Sequence, residues 1–158
     1  MSLNLTVFNF APKIRFFSPQ TIKDHGLDTF MRGLSTQVCQ AVDPHLNDPL
    51  RNLLFGVPDD LFSRNIQRAR DHGIPGYNSL RETFLGQGQG LASLDDANVF
   101  QPGTGATLDS LYNSPDEVDC FVGLLSELPA TGAMVGPTLQ VSILSTQTHS
   151  VCTNPPLY

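Results

Sequence analysis

The chain has 158 residues, a net charge of −6 and a pI of about 4.9, with 40% hydrophobic and 15% charged residues. That length suffices for one domain with its own core, and the composition is that of a globular chain, not a disordered one. Net acidity argues against a nucleic-acid partner. No apolar run is long enough to span a bilayer, and MSLNLTVFNFAPKIR lacks the basic start and unbroken apolar stretch of a signal peptide.

Residues 1–23 read as an irregular N-terminal segment. Pro12 and Pro19 punctuate it, and Phe8, Phe10, Phe16 and Phe17 follow no clean period. Asn4-Leu5-Thr6 is a glycosylation sequon, relevant only to a secreted chain. From Asp24 to Val42 the pattern turns helical. Leu27, Phe30, Met31, Leu34, Val38 and Ala41 recur at spacings of three and four, and Asp43-Pro44 ends the run. A shorter helix is expected from Asp48-Pro49, stopping at Gly56.

Pro58-Asp59-Asp60 suits the first turn of the next helix, which runs to about Asp71 before Gly73 and Pro75. Another short helix is expected from Tyr77 to Phe84, with Asn78 as its N-cap. Residues 86–115 are glycine-rich and read as a surface linker. GQGQG at 86–90 lacks the lysine and Ser/Thr of a phosphate loop. Asp116 to Leu128 reads as a helix introduced by Ser114-Pro115. Thr138 to Thr146 suits either a helix or a strand, and residues 147–158 read as a loose tail. The fold class is mostly α: several short helices with long Gly/Pro-rich loops.

Cys39, Cys120 and Cys152 are far apart and form no CxxC pair, which argues against a zinc site. Their odd number leaves one thiol unpaired within the chain. Cys39 and Cys120 read as small buried hydrophobes. An oxidising compartment would let one pair close, and the sequence singles out none. His25, His45, His72 and His149 are isolated, with no triad or metal spacing among them.

The helix at 59–71 concentrates the chemistry. At about 100° per residue, Leu61, Asn65, Arg68 and, if the helix extends that far, His72 fall on one narrow stripe. Phe62, Ile66 and Ala69 form an apolar stripe beside it. Ser63, Arg64, Gln67, Arg70 and Asp71 make a solvated back. An amide can accept an imidazole N–H, and a guanidinium can grip a carboxylate with two hydrogen bonds. The plainer reading is an amphipathic helix with Arg68 paired to an internal acid, and a His72 that bonds backbone at the helix end.

NIQRARDHGIPGYN, from Asn65 to Asn78, closely resembles the signature of the animal haem peroxidase superfamily. HGLDTFMRGL (25–34) is similar to its "GIDPILRGL" segment, and DPLRNLLFG (48–56) to "LRNFLF". EVDCFVGLLSELPATGAMVGPT (117–138) is similar to "IDVWVGGLAE…PGGLVGPT". Four blocks occur in the family's order. The resemblance implies a mostly helical, haem-binding fold whose members use hydrogen peroxide to oxidise small substrates. It implies that Asn65 bonds the proximal haem-ligand histidine, Arg68 meets a haem propionate and Leu61 lies near the haem edge.

The departures from the family are equally specific. The family's proximal histidine lies upstream of the block at 25–34, and residues 1–24 contain no histidine. The distal histidine and arginine, the calcium loop and the family's continuation after "VGPT" have no counterpart. Arg64 stands where the family often has an apolar residue. The expectation is a partial haem peroxidase domain over residues 24–146, corresponding to the C-terminal portion of the family's domain. It supplies the proximal-side wall of a haem site and has little peroxidase activity alone. Its expected partners are haem and the missing upstream half of a peroxidase domain, with no nucleic acid and no transmembrane segment. The alternative is a non-catalytic helical binding or scaffold remnant. The resemblance implies an extracellular or secretory setting.

Overall fold

The computed structural model describes residues 19–36, 38, 40–54 and 57–153. The expectations for Asn4, the N-terminal phenylalanines, Cys39 and Gly56 lie outside the described residues, as do the side chains of Cys152 and His149. Two compact units are distinguished: residues 1–40 with 45–64, and residues 41–44 with 65–158.

In the first unit, the run expected as one helix from Asp24 to Val42 is broken at Gly26, and Gln20–Lys23, read from sequence as part of an irregular segment, are helical. Helix α1 spans Gln20–His25 and α2 spans Leu27–Thr36, and the two pack on each other. Gly26 separates them at φ 76°, a left-handed region that glycine enters freely. Helix α2 ends well before Val42. There the Ser35 hydroxyl donates to the Met31 carbonyl at 2.8 Å, and the Thr36 hydroxyl to that of Arg32 at 2.8 Å. Such side chains compete for the groups that would continue a helix. The helix expected from Asp48-Pro49 is a single turn, α3 at Asp48–Arg51. Helix α4, Leu61–Asp71, starts where the acidic pair placed it. Asp60 Oδ1 accepts the Phe62 and Ser63 amides at 2.8 and 3.3 Å, and its Oδ2 accepts the Ser63 hydroxyl at 2.7 Å.

The division between the units falls within α4, between Arg64 and Asn65. The second unit continues with α5 (Tyr77–Leu85), α6 (Thr104–Leu111), a 3₁₀ turn at Pro115–Glu117, α7 (Cys120–Ser126) and α8 (Pro137–Thr153). Helix α5 is central and packs against the 3₁₀ turn, α7 and α8. The ambiguous stretch after Gly136 is helical. Neither proline nor glycine interrupts residues 138–153, so the helix also takes in residues 147–153, read from sequence as tail.

Three further expectations need correction here. The helix read over Asp116–Leu128 is a 3₁₀ turn and α7, separated by the extended backbone of Val118 and Asp119. Asn78 is not an N-cap; Gly76 holds that position. Asn78 is buried. Its Oδ1 accepts the Leu91 amide at 2.6 Å, and its Nδ2 donates to Asp116 Oδ1 at 2.6 Å. It ties the loop after α5 to the 3₁₀ turn. Residues 86–115 are not a plain linker either. Leu94, Phe100 and Leu108 from this stretch join Tyr77 and Val118 in the buried core, and α6 lies within it. Periodicity missed them because Leu94 and Phe100 stand six residues apart in one short non-helical segment and Leu108 lies in another, beyond Pro102 and Gly105.

The core is closed by glycines and one buried acid. A Cβ on Gly123 would sit 2.1 Å from Tyr77 Cγ, so α7 approaches α5 as closely as its backbone permits. Glu127 follows α7 and is 1% exposed. Its Oε1 accepts from Tyr77 Oη at 2.7 Å, from Arg81 Nη1 at 3.0 Å and from the Thr138 hydroxyl. Its Oε2 accepts the Thr138 amide at 3.0 Å. One carboxylate thus joins α5, α7 and the start of α8, with both of its oxygens accepting hydrogen bonds. Desolvation, with the carboxylate of Glu127 as a second cause, pushes the Tyr77 phenol well above its ordinary range.

Candidate functional site on helix α4

The helical wheel drawn from the sequence matches the exposure pattern along α4 except at Arg68, which the wheel set on the stripe beside the core and which is exposed. Leu61, Phe62, Asn65, Ile66 and Ala69 are half-buried, while Ser63, Arg64, Gln67, Arg68, Arg70 and Asp71 are exposed. Asn65 and Arg68 lie on one face, a turn apart. Leu61 opens the same helix. His72 lies one residue beyond the end of α4, and its Nδ1 lies 2.9 Å from the Arg68 carbonyl, to which it donates. The ring finishes the helix, as the plainer reading had it, and does not extend the stripe.

Electrostatics separate Arg68 from its neighbours. Arg32 pairs with Asp28, Arg51 with Asp48, Arg64 with Asp59, Arg70 with Asp119 and Arg81 with Glu127. Among the described residues Arg68 is the one arginine with no acid, so the internal ion pair of the plainer reading is not formed. The Asn65 side-chain amide likewise has no hydrogen-bond partner among the described residues. A half-buried amide and an uncommitted guanidinium one turn apart can together meet a ligand that carries both an N–H and a carboxylate.

The supposed solvated back is more structured than the sequence suggested. Arg70 is not simply solvated. Its Nε donates to Asp119 Oδ1 at 2.8 Å and its Nη2 to Asp119 Oδ2 at 2.7 Å. Tyr112 Oη donates to the same Oδ2 at 3.0 Å. The Arg70 fork holds the Asp119 carboxyl below the usual carboxylate range, with Tyr112 assisting. Burial, helped by the carboxylate of Asp119, raises the Tyr112 phenol. Next to it, burial raises the half-buried Cys120 thiol, which is unpaired. Arg64 has its own partner in Asp59, at 2.5 Å.

Asp119 and Glu127 were not singled out from sequence. A signal for Glu127 existed: a lone acid inside the apolar run LLSELPA is rarely buried without partners. Asp119 offered none, because its partner is 49 residues away. Among the described residues no cluster of His, Cys, Asp or Glu is arranged to hold a metal ion. Among the same residues no helix is long and apolar enough to cross a membrane.

Comparison with known proteins gives a consistent result. Residues 8–151 match the family model of the animal haem peroxidases. Peroxinectin A of Dictyostelium discoideum is 36% identical over 137 residues, which is 83% of this chain and 25% of that protein. Thyroid peroxidase of Homo sapiens is 39% identical over 131 residues, 77% of this chain and 14% of its own length. The chain thus spans a quarter or less of these relatives. Among solved structures, peroxidase A from Dictyostelium discoideum superposes with a TM-score of 0.72 at 36% identity, over 80% of this chain and 25% of that one. A fatty acid alpha-dioxygenase of Oryza sativa superposes at 0.67 with 21% identity, over 79% of this chain and 22% of its own, a likeness of fold alone.

Proposed function

Because the chain belongs to the animal haem peroxidase family, we propose that it supplies the proximal-side wall of a haem site. That site would belong to a protein carrying out hydrogen peroxide-dependent oxidation of small substrates. The observation that carries this reading is the pairing of Asn65 with Arg68. Both lie on one face of α4, at the positions the family signature assigns to imidazole and propionate contacts. Both are without protein partners among the described residues.

The residues fit the group. The Asn65 amide oxygen would accept the N–H of an iron-bound imidazole, fixing its orientation and raising its basicity. The Arg68 guanidinium would hold a propionate and neutralise its charge. Leu61 would offer an apolar side chain at the haem edge. The haem supplies the redox chemistry when bound. Residues 1–24 carry no histidine, so in this reading the iron-binding imidazole and the distal acid–base groups would be supplied from outside this sequence. The chain alone would then orient and bind, with little turnover.

Titration of ferric haem into the chain with added imidazole tests the proposal. A Soret band is expected, weakened about tenfold or more in apparent affinity by Asn65→Ala or Arg68→Ala, as for loss of a charge-assisted or ligand-orienting bond. Gln67→Ala, on the exposed face, should change little. Equal effects of all three substitutions would support a helical scaffold without a haem site.

A further inference from the structure

We infer that Asp119 is a positioning residue: its fork with Arg70 sets the roll of α4, and so the direction in which Asn65 and Arg68 face. The inference rests on the assignment of Asn65 and Arg68 to the haem wall. Around the helix, Arg70 lies about 200° from Arg68 and about 140° from Asn65. Asp119 therefore grips the side of α4 opposite the candidate site.

Two features distinguish this pair from an ordinary surface contact. First, it is bidentate, with both bonds under 3 Å, which fixes the guanidinium plane and not merely its distance. Secondly, the carboxylate is itself anchored. Its side chain is 9% exposed, Tyr112 donates to it, and its backbone carbonyl accepts the Gly123 amide of α7 at 3.0 Å. The preceding residue, Val118, is fully buried, and its carbonyl accepts the Tyr77 amide at 2.8 Å. Asp119 is thus a fixed point on the core of the second unit.

The other attachment at this end of α4 does not set its roll. A Cβ on Gly76 would approach the Asp116 carbonyl to 2.8 Å, which holds the turn after α4 against the 3₁₀ turn. That contact limits where the helix ends. It leaves rotation about the helix axis to the Arg70 fork. Among the described residues no hydrogen bond or ion pair holds the side chains of Asn65 and Arg68, so the Arg70 fork is the directional polar contact that adds to the half-buried apolar packing of Leu61, Ile66 and Ala69.

The test uses protoporphyrin IX and its dimethyl ester, titrated into the whole chain and followed by fluorescence. Neither probe needs an axial ligand, and only the diacid offers carboxylates to Arg68. The wild-type chain should prefer the diacid by about tenfold, the scale of a charge-assisted contact. Arg68→Ala should remove the preference, and Asp119→Asn should bring it close to the Arg68→Ala value. The charge-swapped pair Arg70→Asp with Asp119→Arg should recover most of it. A purely stabilising pair would weaken both probes alike and leave the ratio unchanged. Arg70→Lys, which retains charge without the fork, carries the same expectation if Asp119→Asn folds poorly. A ratio kept in Asp119→Asn and Arg70→Lys but lost in Arg68→Ala would overturn the positioning role and leave the site. No preference in the wild type would overturn both.

Discussion

Helix α2 and the stretch from Gly86 to Leu128 invert what their sequences advertise. Helix α2 has the cleanest apolar stripe in the chain, yet none of its residues is buried, and Leu27, Met31 and Leu34 are 63%, 57% and 71% exposed. The second stretch is broken by glycine and proline, yet it supplies Leu94, Phe100, Leu108, Val118 and Glu127, each 2% exposed or less. Periodicity reports which face of an element is apolar. It does not report what covers that face. Burial in this molecule is set by close backbone approach at Gly105 and Gly123, and by a buried acid with several donors.

The largest expected effect falls on the second stretch. Glu127→Ala strands the buried Arg81 guanidinium and removes the acceptor for Tyr77 and Thr138. Loss of one partner from a buried pair costs about 3–5 kcal/mol. Urea unfolding should show this as a large drop in midpoint, and a loss under about 1 kcal/mol would mean that the network is not closed as described.

A smaller effect concerns the Arg70–Asp119 fork and depends on pH. The carboxyl of Asp119 is depressed in the folded chain, so its contribution is complete above the unfolded value of about 3.9 and is lost as pH falls toward the folded one. Stability measured from pH 6 down to pH 3 should therefore fall less steeply in Asp119→Asn than in the wild type. Parallel curves would remove the fork from the account. The smallest effect belongs to α2. Leu34→Ala deletes an exposed side chain and should stay within about 0.5 kcal/mol of the wild type. A loss above about 2 kcal/mol, the scale of a buried leucine, would show that the stripe is covered in solution.

The sequence was most legible where local chemistry decides. The start of α4 at the Asp59-Asp60 pair, its stop at Gly73, and the exposure pattern around α4 apart from Arg68 follow from caps, a positive-φ glycine and a period of 3.6. The helical class and the family were both readable, the latter from four short blocks in order. The core of the second unit was not, because Leu94, Phe100 and Leu108 carry no shared period. Within the candidate site, the common face of Asn65 and Arg68 was readable. The fork behind it was not, since Arg70 and Asp119 become neighbours only after the chain folds. That difference also changes the design of experiments: Arg70 is unsuitable as a neutral control for Arg68, and Gln67 takes its place.

The most direct measurement compares imidazole with 1-methylimidazole as the added ligand in the ferric haem titration. Only imidazole retains an N–H for the Asn65 amide after it binds iron. The wild-type chain should favour imidazole over the methylated ligand by more than the Asn65→Ala chain does, by about tenfold, the lower end for loss of a bond that orients a metal ligand. The same ratio in both chains would contradict the assignment of α4 as the proximal wall.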